Sequence, residues 1–273
     1  MDGLMHDNRA LMTRTLVGLF SAQRRVIGAL MLREIQLRWG RRNLSFAWLF
    51  CEPLVFAFPV ILMWSYIRAP VDRGLPMIGF VWSGYLPILL FRHVVSNGIL
   101  MFTSNSAIFY HRVVTPFDLF VARCGLEAFG NLASTIFSFF VLYQLGTMEW
   151  PQDIPLLFLG FAYMTWWSLA VALIIAALSE RSELVIHIWM PVSYIYLAVS
   201  GFMFANAWLP TPIRNIALTV MPSTHAYDMI RAGLFGNRFE WFYNVGYLSC
   251  FLAILTLIGF WLLRDVRKYM QVL

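Results

Sequence analysis

"REIQLRWGRRNLSFAWLFCEPL", Arg33 to Leu54, places four arginines in its first ten residues and then turns apolar, apart from the pair Glu52-Pro53. The change marks a chain leaving a charged membrane surface for hydrocarbon. Glu52 sits about two turns inside the apolar run. A carboxylate at that depth faces the interior of a helix bundle or a watery path, and it has a partner. Pro53 and Pro59 in the same run predict a helix that bends and frees carbonyls near the carboxylate.

The rest of the chain has the same character. Of its 273 residues 60% are hydrophobic and 12% charged, with a mean hydropathy of +0.69, whereas a soluble domain carries roughly 25% charged residues. That is the composition of a polytopic membrane protein. The apolar runs are long and do not alternate, so they read as helices and not as strands of a barrel. The expected fold is an all-α integral membrane protein. Six spans fall at about Leu44 to Ile67, Met77 to Leu100, Leu119 to Leu145, Pro155 to Leu178, Leu184 to Phe204 and Phe242 to Leu263. Residues 1–43 form an N-terminal segment with an amphipathic surface helix, and 44–273 form one transmembrane domain.

Six spans put both termini on one side, and basic residues say which. The N-terminal segment, the 92–123 region, Arg181 and the C-terminal tail together hold fifteen of the 20 basic residues. Arg68, Arg73, Arg214, Arg231 and Arg238 lie on the other side. Both termini are therefore expected in the cytoplasm, with no leader to carry the N-terminus across, since the first forty residues lack a signal-peptide core. Two connections exceed a turn: "TSNSAIFYHRVVTPFD" inside, and the segment from Ala205 to Trp241 outside. Pro210, Pro212 and Pro222 break the outer segment too often for a span, so it is expected to dip into the outer leaflet as short re-entrant helices.

Chemistry is scarce. Lys268 is the single lysine and no glycine loop precedes it, so the chain lacks a P-loop. Cys51, Cys124 and Cys250 lie in apolar runs without metal or disulfide spacing, and no metal site or resident cofactor is expected. "PSTH", Pro222 to His225, comes within one residue of an element of membrane lipid phosphatases, but the other elements of that family are absent and an enzyme is not expected. Three groups remain. On the helix from Ala22 to Trp39, Ile27, Leu30, Met31 and Ile35 gather on one face, with Arg25, Arg33 and Gln36 opposite and Glu34 and Arg38 intruding on the apolar arc. In the second span Arg92 and His93 are carried into the inner half of the membrane, where a cation snorkels or lines a polar cavity that could meet an acidic substrate. Finally, Trp82, Tyr85, Trp166, Trp167, Tyr194 and Tyr196 lie deeper than an interfacial belt and could offer flat faces to sugar C–H groups. With Glu52, Arg92 and His93 they are the substrate-path candidates.

The order of these features resembles a known family. The basic N-terminal helix, "RWGRRNLSFAWLFCEPL", the cytoplasmic "NSAIFYHRVVTPFDLFVAR" and "SGFMF…WLPTPIRN…MPSTHAYDMIRAGLFG" are similar to ABC-2-type permeases that export bacterial polysaccharides. Among these, the arginine-rich start closing on W-x-x-x-E-P-L is most similar to capsular-polysaccharide export permeases. The resemblance implies an interface helix over Arg25 to Arg42, including Arg33, Arg38 and Arg41, against a separate ATPase. It implies a coupling helix within Asn105 to Pro116, carrying His111 and Arg112. It also implies an outer gate that includes Pro222, Asp228 and Arg231, although Met221-Pro222 stands where the family often has Asn-Pro. The implied assembly is a homodimer with two ABC ATPase subunits that bind ATP and Mg, a periplasmic co-polymerase and an outer-membrane export protein. It sits in the bacterial inner membrane, moves a lipid-linked acidic polysaccharide and involves no nucleic acid. Export of O-antigen or teichoic-acid glycans is the alternative reading, and a drug or haem exporter a more distant one.

Overall fold

The computed structural model describes residues 21, 23–37, 44–67, 71, 72, 74–111 and 114–269. These fold almost wholly as helices. Helix α1 covers 23–37, and α2 runs Leu44–Ile67. A two-stranded antiparallel ribbon, β1 (Val71–Asp72) and β2 (Leu75–Pro76), turns through Gly74 into α3, Met77–Gly98. After a 3₁₀ segment at Thr103–His111 come α4 (Pro116–Gln144), α5 (Ile154–Ser179), α6 (Glu183–Val199), α7 (Thr211–Val220), α8 (Ser223–Phe235) and α9 (Val245–Arg264).

Local chemistry sets where these helices begin. Thr115 and Asp118 form a reciprocal capping box with Pro116 at the first helical position, so α4 starts three residues before the apolar run itself. Asp153, Ser182 and Asn244 cap α5, α6 and α9 more simply, each through a side-chain oxygen that accepts one backbone N–H. The Asn244 cap delays α9 to Val245. At its far end α6 stops at Val199, short of the expected Phe204, because Gly201 turns the chain at φ 95°.

Among the described residues, four helices are long and apolar enough to cross a membrane: Met77–Gly98, Pro116–Gln144, Ile154–Ser179 and Val245–Lys268. Leu54–Trp64 and Glu183–Val199 are shorter apolar stretches. Helix α5 is the hub, packed against α3, α8 and α9, while α3 also packs on α2 and α4. Small residues bring α5 and α8 together. A Cβ on Gly160 would lie 2.7 Å from the Ile230 backbone nitrogen, and one on Gly233 would lie 2.4 Å from that of Leu157. Contact this close is how membrane helices gain packing energy without a hydrophobic drive.

The result is that all thirteen residues of α8, the polar ones included, are buried. Helix α6 is the opposite case. It buries only Trp189, Ser193 and Tyr196, a stripe at spacings of four and three, and leaves Leu184, Ile188, Tyr194 and Ile195 exposed.

Candidate functional site

Two charges on α8 organise the loops around that helix. Asp228 and Arg231 are one turn apart and both have no solvent exposure. Each grips a neighbouring loop. The Arg231 guanidinium donates to the carbonyls of Phe204 (2.6 Å) and Phe202 (2.8 Å) and lies 4.1 Å from the centre of the Phe80 ring. The Asp228 carboxylate accepts from the Asn206 amide (3.0 Å) and the Phe242 backbone N–H (3.1 Å). One helical turn thus ties down both the 200–206 loop and the segment leading into α9. Burial pushes Asp228 up to about 6 against the opposing charge of Arg231, and it lowers Arg231 to about 10.

Pro222 starts α8, where its missing N–H costs no helix bond. The Ser and His of "PSTH" serve backbone. Ser223 donates to the Ser200 carbonyl at 3.2 Å, and His225 holds Leu218 O at 2.9 Å through Nε2 and accepts Asn244 N–H at 3.2 Å on Nδ1. Burial holds the His225 imidazole below its ordinary pKa, in keeping with a neutral ring whose proton sits on Nε2.

Helix α3 is buried around most of its surface. Ile78, Tyr85, Arg92 and Ile99, the last just beyond its end, are half-buried at seven-residue spacing, and His93, Ser96 and Asn97 in its last turns are also not buried. The Arg92 guanidinium lies 5.3 Å from the centre of the Tyr194 ring of α6, which is 56% exposed. The Tyr85 ring leans on Phe202 from the outer loop at 5.8 Å. Tyr85, Arg92 and Tyr194 therefore form one polar seam from the outer loop toward the inner side. Behind it Tyr196 is buried against Phe91 and Trp167.

The other path candidates sit elsewhere. Trp82 is a core residue, donating to Ser138 Oγ at 2.9 Å between α3 and α4. Trp166 faces α9 and donates to Thr256. His93 is half-buried next to Arg92, off the seven-residue stripe. The Glu52 side chain lies outside the described part of the chain.

The elements expected on the cytoplasmic side meet at α1. Arg33 donates to Asn105 Oδ1 (3.1 Å) in the 3₁₀ segment, and Gln23 donates to Asp118 (2.7 Å). Glu34 is buried because Arg123 of α4 pairs with it at 3.2 Å, which explains a carboxylate on the apolar arc. Arg25 is exposed and bonds back to Ser21 O. Arg38, Arg41, Arg42 and Arg112 lie outside the described residues, as does the side chain of His111.

Sequence reasoning missed the residue that fixes the start of the 3₁₀ segment. Leu100 turns left-handed at φ 50°, and the backbone N–H groups after it converge on the α5–α6 turn. Leu100 N–H reaches Ser179 Oγ (3.1 Å); those of Phe102 and Thr103 reach Glu180 Oε1 (3.0 and 3.1 Å); the Thr103 hydroxyl takes the other Glu180 oxygen. Such a concave set of N–H groups is an anion seat, filled here by a side chain of the protein itself. Asn206, the partner of Asp228, and Glu127, buried inside α4, were also passed over. An acidic residue within an apolar span was the available signal for Glu127. For Glu180 and Asn206 the partners are 77 and 22 residues away, and no local pattern reveals them.

No protein-family model matches the chain. Known proteins do. It is 33% identical over 246 residues to the capsule polysaccharide export inner-membrane protein BexB of Haemophilus influenzae, covering 90% of this chain and 92% of that one. It is 32% identical over 246 residues, with the same coverage, to the capsule polysaccharide export inner-membrane protein CtrC of Neisseria meningitidis serogroup B. It is 24% identical over 256 residues to the polysialic acid transport protein KpsM of Escherichia coli, across 92% of this chain and 97% of that one. With a third of its residues shared along nine-tenths of both sequences, the chain belongs to the family of capsule polysaccharide export inner-membrane proteins.

Proposed function

We propose that this protein is the permease subunit of an ABC transporter that exports capsular polysaccharide across the bacterial inner membrane, driven by a separate ATPase. The observation that carries the reading is the seam of Tyr85, Arg92 and Tyr194. Tyr85 and Arg92, polar side chains left half-buried along an apolar helix, are costly in a membrane unless something polar lies beside them. Rings with few deep hydrogen-bonding traps suit a sliding glycan, and a cation toward the inner side suits an acidic one. The likeness to a polysialic acid transport protein favours the acidic polymer.

The chain crosses the membrane six times with both termini in the cytoplasm; helices at all six apolar runs and the arginine distribution support this. Helices α7 and α8 are the re-entrant elements of the outer mouth, a reading supported by the burial of α8, and Asp228 and Arg231 act there as the gate's lock. Two copies line one channel. In support, the described α6 leaves a broad apolar face uncovered, and six helices with one polar seam can hardly enclose a polymer alone.

The coupling cycle begins outside this chain, where two partner ATPase subunits bind ATP with Mg. Their closure moves the docking surface formed by α1 and the 103–111 segment. Bonds from Arg33 to Asn105, from Gln23 to Asp118 and between Arg123 and Glu34 make that surface move together with the foot of α4. The spans then pass the motion to the seam and the outer lock as rigid bodies. The lipid-linked polymer continues through a periplasmic co-polymerase and an outer-membrane export protein.

The test is genetic. In a strain whose own permease gene is deleted, this chain with its ATPase restores acidic capsule at the cell surface, and Arg92→Glu abolishes that restoration with membrane abundance unchanged. Full surface capsule with Arg92→Glu would remove Arg92 from the path and with it the main support for the seam.

A further inference from the structure

Outside the seam, among α4, α5 and α9, an apolar slot of ≈ 220 Å³ ends on a basic rim. Phe117 and Gly125 of α4, Trp166 and Leu173 of α5, and Thr256 and Phe260 of α9 line it, and none of the seam's three residues is among its walls. Its polar groups already satisfy one another. The Trp166 indole N–H donates to Thr256 Oγ1 at 3.0 Å, and the Thr256 hydroxyl donates to Leu252 O at 2.7 Å. A sugar or an ion would find no partner inside the slot, whereas hydrocarbon loses nothing there.

The dimensions are those of a lipid tail. From Phe117 to Gly125 helix α4 rises about 12 Å, and one leaflet of the hydrocarbon core is about 15 Å thick. At the back α9 lies directly on α5, where a Cβ on Gly259 would come within 2.8 Å of the Leu173 side chain. At one end α4 and α9 meet: the Phe117 and Phe260 rings are 5.3 Å apart, and Arg267 donates to Val114 O at 3.0 Å. Trp166 and Phe260 stay exposed along the slot.

Charge gathers at that closed end. Arg264 stands one turn beyond Phe260 on α9, Arg267 follows it, and both are exposed. The nearest carboxylate, Asp265, is held by Lys268 at 2.7 Å. The neighbouring Arg181 is engaged by Leu262 O at 2.7 Å and by the Tyr269 ring, 5.0 Å from its guanidinium. Among the described residues no carboxylate forms an ion pair with Arg264 or Arg267. A helix C-terminus and the inside excess of arginine both favour cations at the end of a span. Neither accounts for an apolar slot that stops at them. An acyl chain that ends on a phosphate has this pattern, and an anionic headgroup, unlike a zwitterionic one, brings no cation of its own to the two arginines.

We infer that the groove holds one acyl chain of an anionic phospholipid of the surrounding bilayer, with the phosphate on Arg264 and Arg267. Placing it in the inner leaflet rests on the topology proposed above; binding itself requires no ATP, polymer or partner. The experiment is fluorescence quenching on the full chain in phosphatidylcholine nanodiscs, with phosphatidylglycerol carrying dibrominated acyl chains as the probe. Trp166 is the reporter, read as the difference between the unaltered chain and Trp166→Phe. Its quenching is expected to reach half-saturation at a lipid fraction at least tenfold lower than with equally brominated phosphatidylcholine. Arg264→Gln with Arg267→Gln is expected to raise that midpoint about tenfold, equivalent to about 1.4 kcal/mol. Arg264→Lys with Arg267→Lys, which keeps the charge, is expected to move it little. Gly125→Leu has room to enter, since a Cβ there meets nothing nearer than Met31 Cε at 3.7 Å, and is expected to fill the slot and remove the quenching. Equal midpoints for the two lipids, a Trp166 that is not quenched because protein covers it, or an unchanged double glutamine variant would each overturn the site and leave the export reading standing. Failure to restore export in cells, with the lipid midpoint intact, would do the reverse.

Discussion

Glu180 shows how much one side chain can hold. Its carboxylate takes two backbone N–H groups and a hydroxyl at the first turn of the 103–111 segment, just after Leu100 in its left-handed conformation. A left-handed leucine costs on the order of 1–3 kcal/mol, which the surrounding bonds must offset. Glu180→Ala removes the acceptor and leaves those donors to water. The expected outcome is export reduced at least severalfold, with the ATPase still turning over in the reconstituted complex, because the docking segment no longer moves with the α5–α6 turn. Glu180→Gln keeps one acceptor oxygen and is expected to recover much of the coupling. The ratio of ATP hydrolysed to polymer exported separates this from simple loss of fold, which would lower both together. "SERSE" reads in the sequence as a tight turn and no more; its glutamate matters because folding brings residues 102 and 103 beside it.

At the scale of helices, the decisive contact is α5 against α8. Their backbones meet through Gly160 and Gly233, and that closeness lets a helix carrying Asp228 and Arg231 be enclosed completely. Gly233→Ala would force a methyl to within 2.4 Å of Leu157 N, which is backbone and cannot swing aside. The expected cost is about 1–3 kcal/mol, read as a lower thermal midpoint of the purified permease. Gly28→Ala is the control. It lies on α1 with nothing within 4 Å of the new methyl, so helix propensity alone predicts a gain of up to about 1 kcal/mol. Equal midpoints for the two variants would remove close packing as the reason α8 is buried. The three prolines identified the 205–241 segment as too broken to span, but the thirteen-residue helix inside it is completely buried because glycines admit it against α5.

For the molecule as a whole, the uneven covering of α6 bears on assembly. An apolar helix with Trp189, Ser193 and Tyr196 inward and Ile188 and Ile195 outward has a face free for lipid or for a second copy. If two copies line the channel across this face, Ile195→Cys in a chain otherwise lacking cysteine is expected to form a cross-linked dimer in native membranes. Trp189→Cys, on the buried stripe, is expected to remain monomeric under the same oxidant. Cross-linking at neither position would place the copy-to-copy contact on another face.

The sequence by itself determined the membrane class, the helices at all six apolar runs and the family, because hydrocarbon solvent imposes length and polarity on each segment separately. It also singled out Arg92, since a charge inside an apolar run is visible without knowing its neighbours, whereas Asp228 and Arg231 came from the family resemblance. What the charges hold was decided only in three dimensions. Arg231 secures two carbonyls of a loop nearly thirty residues away; Glu34 is neutralised from α4; Trp82, which the sequence offers as a ring beside a path, is packed into the core. These outcomes depend on which helix faces which, and that is set by close approach at small residues, a property of pairs of helices that no single segment records.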